Sequence, residues 1–138
     1  MFIHESLDWN DLDSTQEDGK RFYVTPSGNK YPSMTTVLQM LSAQGIAKWR
    51  ARVGEEEANK ISSQASRRGT LMHKLCEDYV NNEVIDTSSL MPLDLQNFNA
   101  LKSEMDKHFG KVYGQEIALY SDFLELAGRV DCIAEYKG

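Results

Sequence analysis

A chain of 138 residues, 41% of them apolar and 26% charged, is long enough for one compact domain and not comfortably for two. Its longest apolar runs are far too short to span a bilayer, and the opening MFIHESLDWND has neither the basic nor the apolar stretch of a signal peptide. The formal net charge of -6 argues against a nucleic-acid partner only if it is spread evenly, and it is not.

Residues 1–20 hold Glu5, Asp8, Asp11, Asp13, Glu17 and Asp18 against Lys20 alone. With no periodicity, they read as a loose acidic arm ahead of a domain at 21–138. Residues 45–75 reverse the balance. Lys48, Arg50, Arg52, Lys60, Arg67, Arg68 and Lys74 outnumber Glu55, Glu56 and Glu57. Taken alone, such a stretch is most simply a solvated helical face. The two cysteines, Cys76 and Cys132, lack metal-type spacing and sit in apolar surroundings. That predicts buried, reduced thiols in a cytoplasmic protein.

The segment RFYVTPSGNKYPSMTTVL predicts a short strand, a turn at Pro26–Asn29 and a second short strand. Ser33 is placed to cap a helix through about Met40. Gly45 and Gly54 punctuate the stretch after it, and a helix is expected from roughly Glu55 to Ala65. RRGTLMHKLCEDYVNN carries the clearest helical period. Leu71, Met72, Leu75, Cys76, Tyr79 and Val80 share one face, and Asn81 and Asn82 close it. Pro92 suits the first turn of another helix, striped by Leu95, Phe98, Leu101, Met105 and Phe109 and stopped by Gly110. The period then changes to two. VYGQEIALY and LELAGRVDCIAEY read as strands joined near Ser121 and Asp122. Helices first and adjacent strands last predict an α+β fold.

His73 and Glu77 stand one turn apart at the edge of the apolar helix face. There a half-buried neutral imidazole can ligate a divalent ion, and a surface His–Glu pair is the plainer reading. Asp131 interrupts an apolar strand, which is costly unless it is paired or binds a cation. Alternation offers it Arg129 as a same-face partner. Gly128 permits a bulge or a close backbone approach beside it, and Glu116 is a second acid on the preceding strand.

RRGTLMHKLCEDY, then GQEIALYS, then LAGRVDCIAEYKG, taken in that order, resemble the RecB-like branch of the PD-(D/E)XK nucleases. Within it the likeness is to phage exonucleases similar to the mitochondrial genome maintenance exonuclease. YVTPSGNKYPSMTTVL and IAKWRARVGEEEANKISSQASRRGT extend it to roughly residues 21–138. The resemblance implies a restriction-endonuclease-like core and Mg2+- or Mn2+-dependent hydrolysis of DNA ends in phage replication or recombination, in the host cytoplasm. His73 matches the histidine of the first core helix, Glu77 the acid one turn later, Asp131 the second-motif aspartate that ligates metal, and Glu116 the accompanying strand glutamate. DNA, single-stranded or with free ends, would meet Lys48, Trp49, Arg50, Arg52, Arg67 and Arg68. Trp49 is read either as a base-stacking platform or as a packing residue.

The family pattern next requires Asp or Glu, any residue, and Lys on the following strand. Glu135-Tyr136-Lys137 has that spelling but lies on the strand of Asp131, about 13 Å along at 3.3 Å per residue. It is therefore rejected as the motif, and the D/E-x-K element is expected to lie outside this chain. Two other readings stand beside the exonuclease: a non-catalytic module that binds DNA or a partner, and one half of a split nuclease completed by a second polypeptide.

Overall fold

Two turns organise the start of the chain. Asp18 and Gly19, with φ of 51° and 73°, make the two-residue turn that right-twisted hairpins favour. Strand β1 (Asp13–Glu17) thereby pairs antiparallel with β2 (Lys20–Val24), and the Thr25–Asn29 turn returns the chain as β3 (Lys30–Pro32). The Thr25 hydroxyl accepts the Asn29 amide at 3.1 Å and closes that turn. A computed structural model describes all residues, 1–138, as an α+β fold of three helices and two small antiparallel sheets.

Residues 1–20 are not a loose arm. Phe2 packs edge-on against Tyr79 and Phe109, Ile3 and Glu5 exchange backbone hydrogen bonds with Val112, and Leu12 is buried. The Trp9 indole donates to the Tyr113 carbonyl at 2.8 Å. Acidity misled here because the anchoring residues are few and widely spaced. Three of the acids are also paired, Asp11 with Arg129, Glu5 with Lys111 and Glu17 with Lys30.

Ser33 caps helix α1 (Met34–Val53) through a 3.1 Å bond from the Thr36 amide to its hydroxyl. The helix runs well past Met40, and straight through Gly45. A helical glycine costs about 1 kcal/mol, which a long helix absorbs. Gly54, at φ 89°, makes the break, and α2 (Glu55–Val80) begins with three glutamates at its positive end. The two helices expected over 55–65 and from 70 are one, because nothing between Ala65 and Thr70 stops the first. From Ile61 to Thr70 every residue of α2 is exposed.

Helix α3 (Pro92–His108) carries Pro92 in its first turn and buries Phe98 and Met105 of its stripe, while Leu101 stays exposed. It passes directly into β4 (Phe109–Ser121), which pairs antiparallel with β5 (Leu126–Tyr136). Gly110 is thus a strand residue, not the helix stop. A Cβ there would meet Glu135 at 2.4–3.4 Å. The register slips between Phe109 and Val112 and again between Val112 and Gly114, so the bulges lie on β4 and not beside Gly128.

Two small cores result. Leu12, Tyr23, Tyr31, Ala118 and Ala127 join the three-stranded sheet to the long hairpin. Val80, Met105 and Val112, with Cys76, Tyr79, Phe109 and Cys132 around them, join α2 and α3 to its other end. The cysteines are unpaired and half-buried rather than fully buried. No helix is long and apolar enough to cross a membrane.

Candidate functional site

The second core sets the site. Burying Leu75 and Val80 and half-burying Cys76 turns the neighbouring edge of α2, with His73 and Glu77, toward the hairpin. On the hairpin, Gln115 faces Cys132 and Ile117 faces Val130, so Glu116 and Asp131 occupy facing positions on adjacent strands. The His73 Nε2 stands 2.6 Å from Glu116 Oε1, and its Nδ1 stands 3.6 Å from Asp131 Oδ1. One ligand atom each from His73, Glu77 and Glu116 lies within 4.8 Å of the other two. The structure thus gathers all four residues singled out in the sequence. His73, Glu77 and Asp131 also line a cavity of about 370 Å³ floored by Cys76, Met105 and Phe109.

An imidazole among three carboxylates has a definite electrostatic state. The hydrogen bond to Glu116, reinforced by the charges of Asp131, Glu116 and Glu77, holds His73 above its ordinary pKa, against a smaller opposing effect of burial. The surrounding acids thus favour the protonated imidazole. An ion bound here would compete with that proton and open the His73–Glu116 bond.

Asp131 does not pair with Arg129, the partner alternation offered. Arg129 reaches across to Asp11 at 2.9 Å instead. Asp131 is left with three quarters of its side chain in solvent, facing His73. Glu135 is held elsewhere: the Lys111 amide and the Tyr113 hydroxyl donate to it at 3.1 and 2.7 Å and keep its pKa below the usual carboxylate range. The Lys137 ammonium lies over the Tyr136 ring.

The basic candidates spread over the two long helices. Lys48, Arg52, Arg67 and Arg68 are exposed and make no ion pair, whereas Arg50 is tied to Glu55 at 2.7 Å and to Asn59. Trp49 is half-buried near the end of α1. Arg67 and Arg68 open onto a cavity of about 450 Å³ beside Leu71 and the start of α3. A further cavity, about 470 Å³ between Met34 and the hairpin tip at Leu119 and Leu124, is lined by no acid or histidine.

Two participants, Gln115 and Asp11, escaped the sequence reading, and a third, Arg129, was given the wrong partner. Gln115 donates to the Glu77 carbonyl at 3.3 Å, tying α2 to β4, and Arg129 and Asp11 form the pair just described. Only the GQE triplet of β4 carried any local signal for them. Comparison of the chain with protein-family models, curated proteins and solved structures finds no match.

Proposed function

We propose that this chain carries the metal site of a DNA exonuclease of the RecB-like PD-(D/E)XK branch. The observation that supports the reading most is the convergence of His73, Glu77 and Glu116 within 4.8 Å, with Asp131 on the other side of the imidazole. Three carboxylates and one imidazole are a hard, oxygen-rich donor set of the kind that suits Mg2+ or Mn2+. Six-coordinate ions at about 2.1 Å hold their ligand atoms roughly 3–4 Å apart. His73, Glu77 and Glu116 would close from within 4.8 Å to that spacing, and Asp131, on the Nδ1 side of the imidazole, would have to turn its exposed side chain to join them. A bound ion would polarise the scissile phosphodiester and lower the pKa of a bound water. Asp131, Glu116, Glu77 and His73 would hold it, and the exposed Lys48, Arg52, Arg67 and Arg68 would take the phosphates of a single strand or free end. The setting is phage DNA replication or recombination in the host cytoplasm.

A second reading, half of a split nuclease, has its own support. Beyond the bridge between Ser33 and Ala127, the outer edge of β5 pairs with no strand, and a strand from another polypeptide could add there. A plain DNA-binding module is distinguished from both by metal. Titration of Mn2+ into the protein, followed by its electron spin resonance signal, should show one site that disappears in Asp131→Ala combined with Glu116→Gln. Absence of any such site in the unsubstituted chain would leave only the binding module.

A further inference from the structure

The backbone of Glu116 is out of place in a strand. Its φ of 54° lies in the left-handed region, where a residue with a Cβ is strained and which the extended residues beside it do not share. Such a conformation persists only where the surroundings hold it, and here one group holds it directly. The guanidinium of Arg129 donates from one nitrogen to the Glu116 carbonyl at 2.5 Å and from the other to Asp11 at 2.9 Å. The Glu116 side chain, thus turned, meets His73 at 2.6 Å. On the same stretch of β4, Trp9 bonds the Tyr113 carbonyl and, together with Ile117, fills the space where a Cβ at Gly114 would stand.

We infer that Arg129 is a positioning residue for the candidate metal site. It acts through the Glu116 backbone and is itself fixed by Asp11 of the N-terminal segment. Arg129 makes no contact with the ligand atoms other than through that carbonyl. Its planar fork is what allows one side chain to serve two acceptors in a fixed geometry, which a lysine ammonium does not reproduce. Asp11 gains from the arrangement as well: the Leu12 amide and then Arg129 hold its pKa below the usual range, so it stays an acceptor throughout the neutral range. The segment that looks from its composition like a detachable arm is, on this inference, a wall of the site.

The inference rests on the metal-site reading, and the test separates the two. Mn2+ affinity is measured for the full chain and for Arg129→Met, Arg129→Lys, Asp11→Ala and Asp11→Asn. Residues that orient metal ligands typically cost ~10- to 100-fold in affinity when removed, and that loss is expected for Arg129→Met and Asp11→Ala. Asp11→Asn, which keeps an acceptor oxygen, should recover most of it, and Arg129→Lys little. Glu5→Ala serves as the control, since it breaks the other ion pair between this segment and the β4–β5 hairpin, at 2.6 Å from Lys111, without touching Glu116. Equal losses in Glu5→Ala and Asp11→Ala would reduce Arg129 to general structural support and overturn the inference. If the unsubstituted chain binds no Mn2+, the metal reading fails by itself. The positioning claim is then decided in the metal-free protein by NMR. The strong intraresidue amide–Hα contact that marks positive φ at Glu116 should be lost in Arg129→Met, and its persistence would refute the clamp.

Discussion

The imidazole of His73 lies 2.6 Å from the carboxylate of Glu116, on an element that the chain reaches only after the whole of α3. Sequence distance of this kind makes the contact informative, because neither residue's own element requires it. His73→Ala should remove the contact and one ligand at once. Its Mn2+ affinity should fall by at least tenfold while the thermal midpoint changes little, since the side chain is substantially exposed. Spin resonance titration and thermal denaturation on the same samples check the pair of outcomes. A large fall in stability with unchanged affinity would assign His73 a structural role.

DNA binding should depend on the exposed cations and not on Arg50, which is engaged by Glu55. Reversing Arg67 and Arg68 to glutamate should weaken single-stranded DNA binding and reduce the salt slope by roughly one unit per lost phosphate contact. Arg50→Gln should leave the slope unchanged. Fluorescence anisotropy across a series of salt concentrations measures both. Indistinguishable slopes for the unsubstituted and double-reversed proteins would remove α2 from the interface.

These residues show what a sequence can carry. The α2 face, the Ser33 cap, the Pro92 start and the turn near Ser121 and Asp122 are set by neighbours a few positions away, so periodicity and capping chemistry display them. His73 and Glu77 share a helix edge for the same reason. The union of helix 55–65 with the next was missed because propensity marks weak points without deciding whether a helix crosses them. The pairing of Asp11 with Arg129 and the packing of Trp9 on Gly114 had no local trace. They depend on which elements meet, and composition even pointed the other way.

Glu135 supplies a pH test. The Lys111 amide and the Tyr113 hydroxyl lower its pKa, so the folded chain binds this proton less tightly than the unfolded one. Its contribution to stability is present above the ordinary carboxylate range and is lost as pH falls through the lowered folded value. Glu135→Gln should therefore lower stability near neutrality and flatten the acid limb of a stability-versus-pH curve from urea denaturation, the two proteins converging at low pH. An acid limb identical to that of the unsubstituted protein would show that the two hydrogen bonds contribute nothing to folding.

The thin core makes single truncations severe. Only 15 of 138 residues are buried, and Phe98, 2% exposed, is among the largest of them. It stacks edge-on against Tyr79, which packs on Phe2 in turn. Phe→Ala in a packed core costs about 3–5 kcal/mol, a large part of the roughly 5–15 kcal/mol that small domains possess. Phe98→Ala should be largely unfolded at about 37 °C by circular dichroism. Leu101→Ala, one turn on but 43% exposed, should cost far less.

Hydrolysis by the 138-residue chain should be slow even if it binds metal well. The candidate site is rich in acid and poor in base: Lys74 is paired with Asp78, Lys137 lies over Tyr136, and Arg129 is engaged by Asp11 and the Glu116 carbonyl. No ammonium is therefore placed to orient an attacking water or to meet the charge that develops on the phosphate. Removing a single group that stabilises such charge commonly costs about 100- to 1000-fold in rate. End-labelled single-stranded DNA incubated with the purified chain and Mn2+ should show degradation close to background. Adding a polypeptide that supplies a strand with D-x-K should raise the rate if it pairs with the open edge of β5. Robust degradation by the chain alone, abolished in Asp131→Ala and in Lys137→Ala, would mean that Lys137 swings off Tyr136 into the site, and that the Glu135-Tyr136-Lys137 spelling was the motif after all.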